Sequence, residues 1–156
     1  RRRAGAAEVR LTLVGDGPER GRTRALSRLL GVKGSLELTG RLSREGVRRR
    51  LMEAHVFVFP TVRESFGLAA LEARAMGLPV LARAGSGVAD VVEDGREGFL
   101  VASDRALADV LARLARDPGA LAEARRRSRE SPLPRSLTWA GVLDAYEDVY
   151  GRDARR

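Results

Sequence analysis

Glu64-Ser65-Phe66-Gly67-Leu68-Ala69-Ala70-Leu71-Glu72 is the stretch whose reading decides the fold. It follows an apolar run, His55 to Phe59, which Pro60 closes and which reads as a buried parallel strand. A helix then starts near Ser65, a good N-cap residue, and stops at Gly77 before Pro79. The order strand, loop, helix puts one carboxylate at the mouth of the helix and a second inside it. Leu68, Leu71, Ala75 and Met76 have the spacing of a core-facing stripe, and Glu72 falls on that stripe. A charge on a buried face costs about 1 to 3 kcal/mol or more when unpaired, so this reading demands a partner for Glu72. A helix turned about its axis would instead leave Glu72 in solvent or beside an arginine.

Outward from this stretch, strands and helices alternate. Toward the N-terminus, Val9 to Val14 alternates apolar and polar residues. Gly15-Asp16-Gly17-Pro18 then turns the chain into a helix running to about Leu30. Leu36 to Thr39 reads as a short strand, Gly40-Arg41-Leu42 as a turn, and Ser43 as the cap of a helix to about Ala54. Toward the C-terminus, Pro79 to Ala82 is a strand, Val88 to Val92 a single helical turn, and Gly98 to Val101 a last short strand. Helices follow at about Asp104 to Arg116 and Pro118 to Arg129. Beyond a Pro-containing break at Ser131 to Pro134, a closing helix runs from near Thr138 to Tyr150. Short connections between alternating elements mean an α/β fold, a Rossmann-like parallel sheet with helices on both faces. Ligands in such sheets sit at the carboxyl ends of the strands. Gly15 to Gly17, Gly40 to Leu42, Pro60 to Gly67 and Gly85 to Gly87 all occupy that edge. Glycine-rich backbone and a helix N-terminus together outline a phosphate site.

The chain has 156 residues, the size of one domain, and its 44% apolar and 32% charged content fits a soluble globular protein. Net charge is +8, carried almost wholly by arginine, with Lys33 the only lysine. Such a surplus suits phosphate-bearing ligands, an anionic membrane surface or nucleic acid, but arginine-biased coding is read as the cause of most of it. Without cysteine, disulfides and thiolate metal sites are excluded. No apolar run approaches the roughly 18 residues of a membrane span, and no signal peptide is visible, so a cytoplasmic location, with contact at the membrane surface, is expected.

The remaining motifs divide into turns and surface. Gly15-Asp16-Gly17 lacks the third glycine of a dinucleotide fingerprint, because Arg20 stands at that position. Gly85-Ser86-Gly87 reads equally as a ligand-side loop or as a plain turn. His55, the only histidine, has no second ligand or base nearby in sequence, and no Asp-x-Asp pair is present, so no metal is expected. Arg48-Arg49-Arg50 and Arg125-Arg126-Arg127 lie on helices, where three consecutive residues span too wide an arc for one binding face. Trp139, Tyr146 and Tyr150 form a stripe read as packing.

Glu64 and Glu72, embedded in Pro60-Thr61 and Glu64-Ser65-Phe66-Gly67, resemble the E-x7-E motif of retaining GT-B glycosyltransferases. That family includes sucrose synthase and many bacterial mannosyl- and glucosyltransferases. The similarity runs from about Val9 to Tyr150 and includes Gly15 to Pro18, Gly77 to Val80 and Glu93 to Gly98. It implies a single domain over residues 1–156, with residues 131–156 forming the closing helix, that binds a nucleotide-diphosphate sugar donor without a metal or other cofactor. Glu64, the catalytic candidate, would hold hydroxyls of the donor sugar. Backbone N–H groups near Ser65, Phe66, Gly67 and Leu68 would hold the distal phosphate, and Glu72 the ribose hydroxyls. Arg41 and Leu42 would lie beside the base, and Gly85, Ser86 and Gly87 near the donor. At about 1.5 Å of rise per helical residue the two carboxylates stand ~8 to 12 Å apart, wider than the ~5 to 9.5 Å of a glycosidase pair. In the family a further strand and helix, carrying an Arg and a Lys that clamp the diphosphate, precede this region, and a separate domain binds the acceptor. The expectation is therefore a fragment, the C-terminal half of a GT-B fold lacking its first strand and helix and inactive alone, its sheet carrying a gap or an exposed edge. The alternatives are a non-catalytic nucleotide- or sugar-phosphate-binding module and a basic nucleic-acid-binding domain. The low aromatic content, 4%, speaks against the last.

Overall fold

A computed structural model describes residues 9–153 of the chain. Five strands alternate with helices: β1 (Leu11–Val14), α1 (Arg20–Leu29), β2 (Leu36–Gly40), α2 (Arg44–Glu53), β3 (Phe57–Phe59), α3 (Leu68–Ala75), β4 (Val80–Arg83) and β5 (Gly98–Val101). Three helices complete the order, α4 (Asp104–Arg116), α5 (Pro118–Glu130) and α6 (Trp139–Asp153). All strand pairing is parallel, as the alternation of elements requires. The fold is α/β, with parallel strands and intervening helices. The caps that end the helices are local: Ser43, Ser103 and Asp117 each accept a backbone N–H three residues on, and Pro118 occupies the first turn of α5.

The expected single sheet is divided. β1 pairs with β2, from Leu11 opposite Leu36 to Val14 opposite Gly40, with an irregularity after Leu13. β3, β4 and β5 form a separate sheet in that order. Among the described residues no ladder joins the two, so β1 and β3 each keep one unpaired edge.

Burial is uneven between the two sheets. Val80, Leu81 and Ala82 of β4 are wholly buried, which is why this strand is a continuous apolar run. Val80 and Ala82 pack with Ala70, Ala73, Leu78, Val88, Val91 and Val92, flanked by Leu51, Ala54, Phe57 and Phe59. β1 is exposed along its length. The strand expected over His55 to Phe59 is shorter, begins at Phe57 and is only half-buried, because β4 and not β3 is central to its sheet. His55 lies outside it and is exposed.

α3 departs from its sequence reading at both its cap and its buried face. Its N-cap is Gly67, in the left-handed region at φ +80°, and Ser65 caps nothing. Its buried face is Ala70, Ala73 and Arg74, whereas Leu68 is 68% exposed and Glu72 is exposed. The leucine stripe is therefore displaced around the helix. Close packing against β4 and the Val88 to Val92 segment takes the small residues Ala70 and Ala73. The aromatic stripe is also corrected where it is described, since Trp139 and Tyr146 are exposed and pack little. The side chain of Tyr150 lies outside the described residues.

Candidate functional site

The loops at the carboxyl ends of the strands fall into two pairs, one per sheet. In the first, Gly15 after β1 donates its N–H to Gly40 O at 2.9 Å, and Arg20 on α1 donates to Leu38 O. Arg41 and Leu42 stand at this end of β2, with Arg41 exposed. In the second, the Glu64 to Gly67 loop after β3 meets the Gly85 to Gly87 loop after β4, where Gly87 donates its N–H to Glu64 O at 2.8 Å. Among the described residues no hydrogen bond links one pair to the other. The structure thus brings Glu64, Ser65, Phe66, Gly67, Leu68, Gly85, Ser86 and Gly87 together and leaves Arg41 and Leu42 with the other sheet.

Steric closeness fixes the second pair. A Cβ on Gly87 would lie 2.1 Å from Ser65 O, and one on Gly67 would lie 2.8 Å from Cγ2 of Val88. Ser86 is buried and donates to Arg83 O at 3.0 Å, which closes its own turn. The backbones of these two loops are consequently in close contact. Glu64, half-buried, folds back on itself: its Oε1 accepts N–H bonds from Phe66 at 3.3 Å and Gly67 at 3.1 Å. The Phe66 N–H, then that of Gly67, hold the Glu64 carboxyl below its ordinary range. Partial burial opposes them and the Ser65 N–H adds to them. Leu68 and Ala69 follow as the first residues of α3, where helical N–H groups have no intrahelical acceptor. The side chain of Glu72, on the exposed side of the helix, forms no hydrogen bond or ion pair with the described residues. The partner demanded for it on a buried face is not needed, because it is not buried.

The buried charge of α3 is Arg74, which sequence reasoning missed. Its guanidinium reaches Glu97 and the Val91 and Pro132 carbonyls, tying α3 to the turn before β5 and to the segment after α5. Its position at i+4 from Ala70 and i+1 from Ala73 was the available signal. Arg83, at the end of β4, was missed as well; it binds Asp104 and Ala102 O.

The arginine runs are largely engaged locally. Arg50 pairs with Glu37 and Glu53, Arg48 with Glu45, and Arg126 and Arg127 with Glu123. Two concavities, of about 470 and 270 Å³, are lined mainly from α4, α5 and the β5 turn and include none of the expected site residues. Among the described residues no cluster of His, Cys, Asp or Glu could hold a metal ion, and no helix is long and apolar enough to cross a membrane.

This parallel α/β architecture, with loops gathered at the carboxyl ends of its strands, is shared by glycosyltransferase domains of the GT-B class. Within that class the chain is a member of the group 1 glycosyl transferases, whose family model matches residues 1–117. It is 41% identical over 108 residues to the D-inositol 3-phosphate glycosyltransferase of Kribbella flavida, covering 67% of this chain and 26% of that protein. It is 32% identical over 141 residues to the alpha-D-kanosaminyltransferase of Streptomyces kanamyceticus, covering 86% of this chain and 36% of the relative. Among solved structures, the sucrose-phosphate synthase of Thermosynechococcus elongatus matches with a TM-score of 0.69 at 28% identity, over 92% of this chain and 38% of that one. The chain thus spans about a quarter to a third of the length of these curated relatives.

Proposed function

We propose that the chain is the donor-binding domain of a retaining, metal-independent glycosyltransferase, taking a nucleotide-diphosphate sugar as donor and requiring no other cofactor. The observation that carries this reading is the N-terminal corner of α3, with N–H groups at Phe66, Gly67 and Leu68, Glu64 beside them and an unengaged Glu72 on the open face. Membership of the group 1 family supports the transferase class.

In this arrangement the distal phosphate sits on the N–H groups of the corner, where the positive end of the helix favours an anion. Glu72 accepts hydrogen bonds from the ribose hydroxyls, and Glu64 from hydroxyls of the sugar. Gly85 to Gly87 lets the backbone approach the donor, and Arg41 and Leu42 lie beside the base. Transfer with retention then depends on positioning the anomeric carbon and stabilising the departing diphosphate. The acceptor is bound by a domain outside these residues.

Thermal unfolding with UDP, GDP and ADP tests this. A ligand at ~100 times its dissociation constant stabilises the folded state by ~2.7 kcal/mol. The expected result is a shift with one nucleotide that fades in Glu72→Gln. No shift with any of the three rejects the reading.

A further inference from the structure

The Glu64 carboxylate occupies the N–H groups that the donor-site reading assigns to the distal phosphate. One oxygen accepts both the Phe66 and the Gly67 N–H, at 3.3 and 3.1 Å, and no cation among the described residues pairs with it. The surrounding backbone cannot yield easily, since Gly87 bonds Glu64 O and leaves no room for a side chain against Ser65 O. Any ligand anion that takes these N–H groups must therefore displace the Glu64 side chain by rotation about its own bonds.

We propose that Glu64 is a self-capping residue that blocks the phosphate seat in the empty site and returns to it when the sugar has gone. The proposal rests on the donor-site reading above and adds to it a means of releasing product. A diphosphate, with more charge and more acceptor oxygens than one carboxylate, displaces Glu64 from the N–H groups. When the ligand carries a sugar, the displaced carboxylate gains hydroxyl donors a few ångströms away, which offset the bonds it gave up. A bare nucleoside diphosphate offers no such replacement. Glu64 then competes with it, so the site prefers the sugar-bearing donor to the spent nucleotide. Apparent affinity for the bare nucleotide is reduced by the fraction of molecules in the capped form.

The test is calorimetric binding of UDP, GDP and ADP, and of UDP-glucose, GDP-mannose and ADP-glucose, to the chain and to Glu64→Ala and Glu64→Gln. Measurement in about 0.5 M salt screens long-range repulsion, so that loss of a negative charge is not mistaken for loss of the cap. Amide spectra of the ligand-free proteins accompany it. Expected are shifted Phe66 and Gly67 resonances in both variants with the remaining fold unchanged. Glu64→Ala is expected to bind the bare nucleotide about threefold to thirtyfold tighter, the range of an N-cap contribution, and to lose its preference for the sugar-bearing form. If the chain binds nucleotide and Glu64→Ala binds it no tighter, self-capping is overturned while the donor site stands. If no protein binds any of the six ligands, the donor-site reading fails and takes the proposal with it.

Discussion

Arg74 and Glu97, 23 residues apart in sequence, form an ion pair at 2.9 Å in which each side chain is only 4% exposed. Glu97 accepts in addition the Glu93 N–H at 2.8 Å and the Ser131 hydroxyl, and Arg74 donates to Val91 O at 2.5 Å. Within this pair, only the Nε of Arg74 lacks a partner. Such a pair contributes little by comparison with apolar residues of the same volume, yet breaking it from one side strands a charge in the core. Its consequence is connective: one guanidinium holds α3 against the segment that carries Val88, which in turn packs on Gly67.

Replacing Arg74 with Met is therefore expected to destabilise the chain by about 3 to 5 kcal/mol. The double replacement Arg74→Met with Glu97→Gln recovers part of that loss, since the stranded charge is gone. Denaturant unfolding of the two single variants and the double variant measures the coupling; simple additivity would contradict the pair's role.

Acid should loosen the C-terminal half of the domain. Burial raises the Glu97 carboxyl, but the Ser131 hydroxyl, the Glu93 N–H and the Arg74 and Arg96 guanidiniums together hold it below 4.5. Glu123 is held at about 2, first by its hydrogen bonds to Arg126 and Arg127. Both carboxylates bind protons more weakly in the folded chain than in the unfolded one. Their contribution to stability is thus complete above the ordinary value of 4.5 and is lost as pH falls through the lowered folded values. Carboxyl NMR titration is expected to show Glu123 still ionised at pH 3, and added salt to move its midpoint upward.

Gly87→Ala and Gly85→Ala separate two ways of offending the backbone. At Gly87 the new methyl would meet Ser65 O at 2.1 Å, while at Gly85 there is open space but a φ of +81°. Gly85→Ala is expected to cost about 1 to 2 kcal/mol, the left-handed penalty, with little change elsewhere. Gly87→Ala should shift the amide resonances of Glu64 to Gly67 and weaken nucleotide binding more than Gly85→Ala does. Equal spectra for the two variants would count against the fixed corner.

Glu72→Gln should leave the melting temperature almost unchanged, within about 0.5 kcal/mol as for other surface substitutions. Its effect should fall on ligand binding, where hydrogen bonds to a charged group contribute about 1.5 to 3 kcal/mol, or roughly tenfold to a hundredfold in affinity. A large loss of stability would instead mean that Glu72 packs inside the protein.

The sequence by itself determined the order and kind of the elements and which loops lie at the strand ends. Gly98–Val101, Asp104–Arg116 and the Ser43 cap fall where periodicity, capping residues and glycines put them, because those signals act within a few residues of each other. The family was legible for the same reason, its motif being contiguous. Only the tertiary structure decided how α3 is turned. An eight-residue helix of LAALEARA has small apolar residues around most of its circumference, so local spacing does not choose a face. Packing against β4 and the core around it does, burying Ala70, Ala73 and Arg74 and leaving Leu68 and Glu72 exposed. The self-capped Glu64, the Arg74–Glu97 pair and the division of the sheet depend likewise on partners distant in sequence or on loop conformation, and a one-dimensional pattern does not encode their geometry.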